Sequence, residues 1–257
     1  MQCFEESQPV KWSYCINTTV GSQSRDLIYH FHGRNGDATW WNDETYYSGE
    51  VVKAWRLKKR AAPKVVSVSF GDIWLLTERK DQPDGGLLPF FVQHVLKSVE
   101  SKLGHPIERR MLVGESMGGI NALMVAFKTG NTFVKVASLC PPLPMVSPHA
   151  SWRDRFDYFR RSGMAWVRIL MMLYFSGRFY PDEATWVDND PVHASSRYDP
   201  KLSPKLYLSC GVKDDWGCME GSKAVVASVR SKGGQIEWHE RPGGHCDIDT
   251  ASLADFL

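Results

Sequence analysis

The stretch that most constrains this chain is Met111-Leu112-Val113-Gly114-Glu115-Ser116-Met117-Gly118-Gly119. Three apolar residues read as the end of a buried strand, and residues 120–127 read as a helix, so Gly-x-Ser-x-Gly falls in a strand–turn–helix. A serine held in such a turn needs neighbours without a Cβ two residues to either side, or strand and helix could not approach closely. The turn pushes the Ser116 hydroxyl out at the carboxyl end of the sheet, over the amino end of the next helix. Backbone N–H groups there favour developing negative charge. The same five residues also describe an ordinary glycine-rich turn. They carry chemistry only if the chain supplies a base, an acid and a second N–H donor in the right order.

Hydrophobic periodicity predicts strands at 11–17, 26–31, 64–70, 133–140, 205–210 and 235–240, with helices at 44–60, 88–103, 220–232 and 251–257. Strands alternating with helices imply a mostly parallel, doubly wound α/β sheet with its site at the carboxyl ends of the strands. At 257 residues and 43 % apolar content the chain reads as one domain, 1–257. Residues 144–198 depart from the alternation: they are rich in aromatics, and 164–175 is apolar apart from Arg168. This segment is expected to be a helical cap, or lid, inserted over the site. Trp166 and Phe175 are its candidate substrate-binding residues.

The required partners are present. Asp214 and Asp215 follow the strand at 205–210, and His245 follows the last strand in Gly243-Gly244-His245-Cys246. The order Ser…Asp…His matches one known arrangement of a nucleophile, its base and an orienting acid. His32-Gly33-Arg34-Asn35-Gly36 closes another strand and offers N–H groups beside the serine. His30 and His32 could instead form a metal pair, but no third ligand stands near them at a familiar spacing. A neutral His32 satisfied by backbone hydrogen bonds is the expected role, and no metal is assigned.

Together, His32-Gly33-x-x-Gly36, Gly114-Glu115-Ser116-Met117-Gly118-Gly119, Gly211-Val212-Lys213-Asp214 and Gly244-His245 resemble the α/β-hydrolase superfamily along the whole chain. They are similar to esterase D-like, feruloyl and acetyl xylan esterases, and polyhydroxyalkanoate depolymerases share much of the pattern. The resemblance implies hydrolysis of a carboxylic ester through an acyl-enzyme, without metal or organic cofactor, and the expected substrate is a small-molecule ester with a small or aromatic acyl group. Ser116 is then the nucleophile, His245 the base and Asp214, three residues after Gly211, the acid. The oxyanion would be held by N–H groups of Met117 and of Gly33 or Arg34. Glu115 is expected to make a polar contact behind the turn and is assigned no chemistry. Acyl transfer or peptide hydrolysis by the same triad is the competing enzyme reading, and a silent binding scaffold the competing non-enzyme one.

A net charge of +2 is too balanced to argue for nucleic acid or an anionic membrane as a partner, and no stretch is long and apolar enough for a membrane span. The amino terminus is polar, which suits a cytoplasmic chain or one whose signal peptide has been removed. Six cysteines bear on that choice. Acid and base loops must meet, which brings Cys218 near Cys246, and a Cys218–Cys246 bridge is expected, with Cys3–Cys15 as a second. Some feruloyl esterase and tannase relatives carry a cystine beside the catalytic histidine, joined to a cysteine next to the serine, where this chain has Glu115. Bridges would imply a secreted or periplasmic protein.

Overall fold

β-branched and aromatic runs build eight strands in a computed structural model that describes residues 1–7, 9–18, 24–82 and 84–257. They are β1 (Gln2–Glu6), β2 (Trp12–Asn17), β3 (Leu27–Phe31), β4 (Lys64–Ser69), β5 (Arg110–Glu115), β6 (Lys135–Leu139), β7 (Lys205–Gly211) and β8 (Ile236–Arg241). One sheet holds them all in the order β1-β2-β4-β3-β5-β6-β7-β8. β1 and β2 run antiparallel, and every pairing from β4 to β8 is parallel. Parallel strands need crossover helices on both faces, which buries them on both sides. Accordingly all five residues of β3 are buried.

The helices are α1 (Tyr47–Leu57), α2 (Leu87–Phe90), α3 (Leu96–Leu103), α4 (Met117–Lys128), α5 (Trp152–Ser162), α6 (Trp166–Phe179), α7 (Glu183–Asn189), α8 (Pro191–Ala194), α9 (Cys218–Ser231) and α10 (Thr250–Phe256). A single π turn, Phe91–Val95, joins α2 to α3. Strand β5 shows how the two layers form. Its Met111 and Val113 pack with Val51 and Trp55 of α1 and Leu253 of α10. Leu112, between them, points the other way, into the core shared by α3, α4 and α9.

The doubly wound α/β sheet is the architecture expected from the sequence. β1 was not anticipated. It is an edge strand whose side chains are mostly exposed, so it lacks the buried alternation by which strands are recognised. Its Cys3 lies opposite Cys15 in register, and the two form a disulfide, as expected.

Residues 144–198 hold α5 to α8. Ser151 caps α5 by accepting the Asp154 N–H, and Gly163, at φ 70°, ends it. Asp182 and Asp190 cap α7 and α8 in the same way. α5 and α6 share a small core of their own, built from Tyr158, Met164, Ile169 and Leu173.

Candidate active site

The serine turn has the geometry its glycines predict. Ser116 sits at φ 54°, a region costly for any residue with a side chain, and Met117 starts α4 directly after it. A Cβ on Gly114 would lie 2.2 Å from the Gly118 carbonyl oxygen, and one on Gly118 would lie 2.0 Å from that of Phe31. Either glycine therefore permits a contact between backbones that no other residue allows.

Three loops meet at this turn. Ser116 Oγ is 2.9 Å from His245 Nε2, and His245 Nδ1 is 2.5 Å from Asp214 Oδ2. Burial pushes the Asp214 carboxyl upward. Hydrogen bonds from His245, the Trp216 N–H and Cys218, with the imidazole's charge, outweigh that and leave it below its ordinary value. The second Asp214 oxygen accepts the Trp216 N–H at 2.8 Å, which fixes the carboxylate's orientation. Asp215 turns outward to pair with Arg168, so the acid is Asp214, as the family resemblance implies for the third residue after Gly211. Backbone contact holds the acid and base loops together: the Lys213 N–H donates to the Gly243 carbonyl at 3.0 Å.

The disulfide expected between Cys218 and Cys246 is not the one present. Cys246 is bonded to Cys140, the residue immediately after β6. Sheet order explains this. The base loop leaves β8 and must cross the ends of β7 and β6 to bring His245 to Ser116 after β5, so the residue following the base arrives over Cys140. Cys218 is a buried free thiol at the start of α9. It donates to the Cys140 carbonyl at 3.0 Å and lies 3.8 Å from His245 Nδ1. Burial pushes this thiol well above its ordinary value, leaving it unreactive.

The loop after β3 faces the serine. His32 is buried, its Nδ1 2.7 Å from the Gly33 carbonyl and its Nε2 2.8 Å from Ser69 Oγ, with the Trp74 indole N–H also directed at Nε2. Burial lowers its pKa, so the ring is neutral and pins the loop. His30 takes other partners, Ser67 Oγ at 2.7 Å and Glu115 Oε2 at 2.9 Å.

Glu115 is the residue the sequence reading undervalued. Its carboxylate is 1 % exposed. Oε1 accepts the Gly33 N–H at 2.7 Å, while Oε2 accepts the Tyr47 hydroxyl at 3.0 Å and faces His30. The Gly33 N–H is therefore already used, whereas the Arg34 N–H has no hydrogen-bond partner among the described residues. One signal was available: an acid in a buried strand and a histidine in another must find partners or remain uncharged.

Beside Ser116 lies a cavity of about 450 Å³. Ile73, Leu75, Met171, Met172, Phe175 and Phe179 supply much of its apolar wall. Arg34 stands at its edge, with its guanidinium 4.8 Å from the Phe175 ring centre. Trp166 does not line this cavity. It packs against Phe159 at 5.4 Å, half-buried on the core that α5 and α6 share, because it begins α6 and faces away from Met171 and Phe175.

The family model named Esterase matches residues 86–246. No curated protein sequence matches the chain. Among solved structures, a ferulic acid esterase superposes with a TM-score of 0.69 at 16 % identity, over 99 % of this chain and 94 % of its own. An S-formylglutathione hydrolase from Agrobacterium tumefaciens gives 0.66 at 11 %, over 98 % and 91 %. A fluorophosphonate-binding serine hydrolase of Staphylococcus aureus gives 0.60 at 14 %, over 99 % and 93 %. These identities speak for the shared fold. The family match spans more than half of the chain and contains Ser116, Asp214 and His245, which meet within hydrogen-bonding distance. The chain belongs to the Esterase family of α/β-hydrolases and is a serine hydrolase that acts on esters through an acyl-enzyme.

Proposed function

We propose that the protein is a carboxylesterase of the esterase D and feruloyl esterase kind whose acyl group is apolar, either aromatic or a chain of roughly eight carbons. The observation that carries this reading is the cavity of about 450 Å³ beside Ser116, walled by Met, Phe, Ile and Leu side chains. Against the Met, Phe, Ile and Leu side chains a charged or sugar acyl group would lose its water, and Arg34 is the one guanidinium in the lining.

In this reading Ser116 attacks the ester carbonyl carbon while His245 Nε2 takes the hydroxyl proton. Asp214, ionised, holds the imidazole in the tautomer that accepts at Nε2 and stabilises the imidazolium. The carbonyl's electron pair moves onto its oxygen, which receives the N–H groups of Met117 and Arg34. When the tetrahedral species collapses, His245 returns the proton to the departing alcohol. Water then repeats the sequence on the acyl-enzyme and releases the acid. Met117 qualifies as a donor because the first N–H groups of a helix have no intrahelical partner. Arg34 qualifies because Gly33 is held by Glu115.

Residues 144–198 act as a cap, with the inner face of α6 forming the acyl wall. The two disulfides favour an oxidising compartment, and with it secretion or a periplasmic location. The test is turnover of acetyl, butyryl, octanoyl and feruloyl esters of one alcohol. kcat/KM should rise at least tenfold from acetyl to octanoyl or feruloyl. A preference for acetyl, with longer acyl groups untouched, would sink the acyl assignment, and failure of Ser116 to label with a fluorophosphonate would sink the mechanism.

A further inference from the structure

The balanced charge of the chain conceals a local asymmetry. Between 152 and 178 there are six arginines, two aspartates and neither lysine nor glutamate, while the rest of the chain carries 25 basic and 27 acidic residues. Arg161 and Arg168 are matched by Glu220 and Asp215. Arg153, Arg160 and Arg178 form no ion pair among the described residues.

The same two helices hold an uncovered apolar surface. Trp152 is 67 % exposed, Phe156 51 %, Val167 72 % and Tyr174 69 %. Trp152, Phe156, Phe159 and Trp166 form one cluster, with ring centres 5.4 to 6.4 Å apart. Arg155 lies over the Trp152 ring at 5.1 Å. Val167 and Tyr174, seven residues apart, continue the exposed surface along α6, one turn to either side of the cavity-lining Met171, so the surface borders the cavity. Leaving several large rings in water is unfavourable unless something covers them.

We propose that the outer face of α5 and α6 docks onto an anionic phospholipid surface. Tryptophan, phenylalanine and tyrosine rings are the side chains that settle at the headgroup boundary, and unpaired arginines beside them complement lipid phosphates. A second copy docking through the same face would set like charges against Arg153, Arg160 and Arg178, and a protein partner would have to place a carboxylate at each, whereas an anionic lipid surface supplies counterions throughout. Docking in this pose brings the lipid beside the Met171 and Phe175 wall, so an acyl ester leaving the surface meets the apolar cavity next. This last step rests on the carboxylesterase reading, but the docking itself does not.

Sedimentation with vesicles tests the docking without reference to activity. The protein should pellet with phosphatidylcholine vesicles containing 30 % phosphatidylglycerol, at least tenfold more than with phosphatidylcholine alone, and 0.5 M NaCl should release most of it. Each of Arg153→Glu and Arg160→Glu should lower partitioning about fivefold or more. Trp152→Ala with Phe156→Ala should lower it at least tenfold at unchanged kcat/KM for a soluble acetyl ester. Equal pelleting with both vesicle types, no pelleting with either, or variants that bind like the native chain would overturn the proposal. So would a dimer in solution that the Trp152/Phe156 double variant dissociates. An inactive protein that still binds anionic vesicles would remove the carboxylesterase reading and leave the docking intact.

Discussion

At the scale of single residues, the site depends on three side chains acting together. Ser116→Ala and His245→Ala should each lower kcat for an activated ester at least a thousandfold without lowering the melting temperature, as steady-state kinetics and thermal unfolding would show. Asp214→Asn should cost about a thousandfold or more, because the amide favours the wrong imidazole tautomer. Asp215→Asn should cost no more than about threefold. Because the Asp214 pKa lies below its ordinary value, this carboxylate contributes stability that is fully present above about pH 4 and is lost as pH falls through its lower folded value. An activity loss centred above pH 5 therefore comes from another group. Glu115 acts one layer back. Glu115→Ala strands His30 and Tyr47 in a dry interior and frees the Gly33 N–H. Removing one partner of such a buried pair costs about 3 kcal/mol or more, so denaturant unfolding should show the loss. Glu115→Gln, which still accepts from Gly33, should recover kcat more than stability. Equal loss in both would make Glu115 only a packing residue.

At the scale of elements, the decisive relationships run between loops at the end of the sheet. Phe175 on α6 faces the cavity and Trp166, at the start of the same helix, does not. Phe175→Ala should lower kcat/KM for octanoyl and feruloyl esters about tenfold relative to acetyl esters, while Trp166→Ala leaves the ratio unchanged. A shift in acyl preference with Trp166→Ala would restore it to the substrate site. The Cys140–Cys246 bridge ties the base loop to the strand beside the nucleophile. Non-reduced peptide mapping should recover that pair and leave Cys218 alkylatable only after unfolding. Cys140→Ser together with Cys246→Ser should cost about 2–5 kcal/mol of stability and slow turnover, since the loop loses its tether. Cys218→Ser should do neither. A Cys218–Cys246 peptide in the native protein would reverse the assignment.

At the scale of the molecule, much was written in the chain itself. Alternating strand and helix periods determined the doubly wound sheet, because each pattern buries apolar surface only in its own geometry. Gly114, Ser116 and Gly118 determined the strained turn, because only that backbone brings strand and helix so close. The order of Ser116, Asp214 and His245 was legible because all three follow strands that the periodicity reveals. The lateral order of those strands was not. Which strand end the base loop passes over, and hence which cysteine meets Cys246, follows from the sequence β5-β6-β7-β8 across the sheet. The partnership of Glu115 with His30 and Gly33 likewise depends on β3 lying beside β5, and it removed Gly33 from the oxyanion donors. The facing of α6, with Phe175 toward the cavity and Trp166 toward α5, was decided by how α5 and α6 pack on each other. Local pattern specifies elements because it reports which face must leave water. It is silent about neighbours, since contacts between residues distant in the chain form only once the elements have packed.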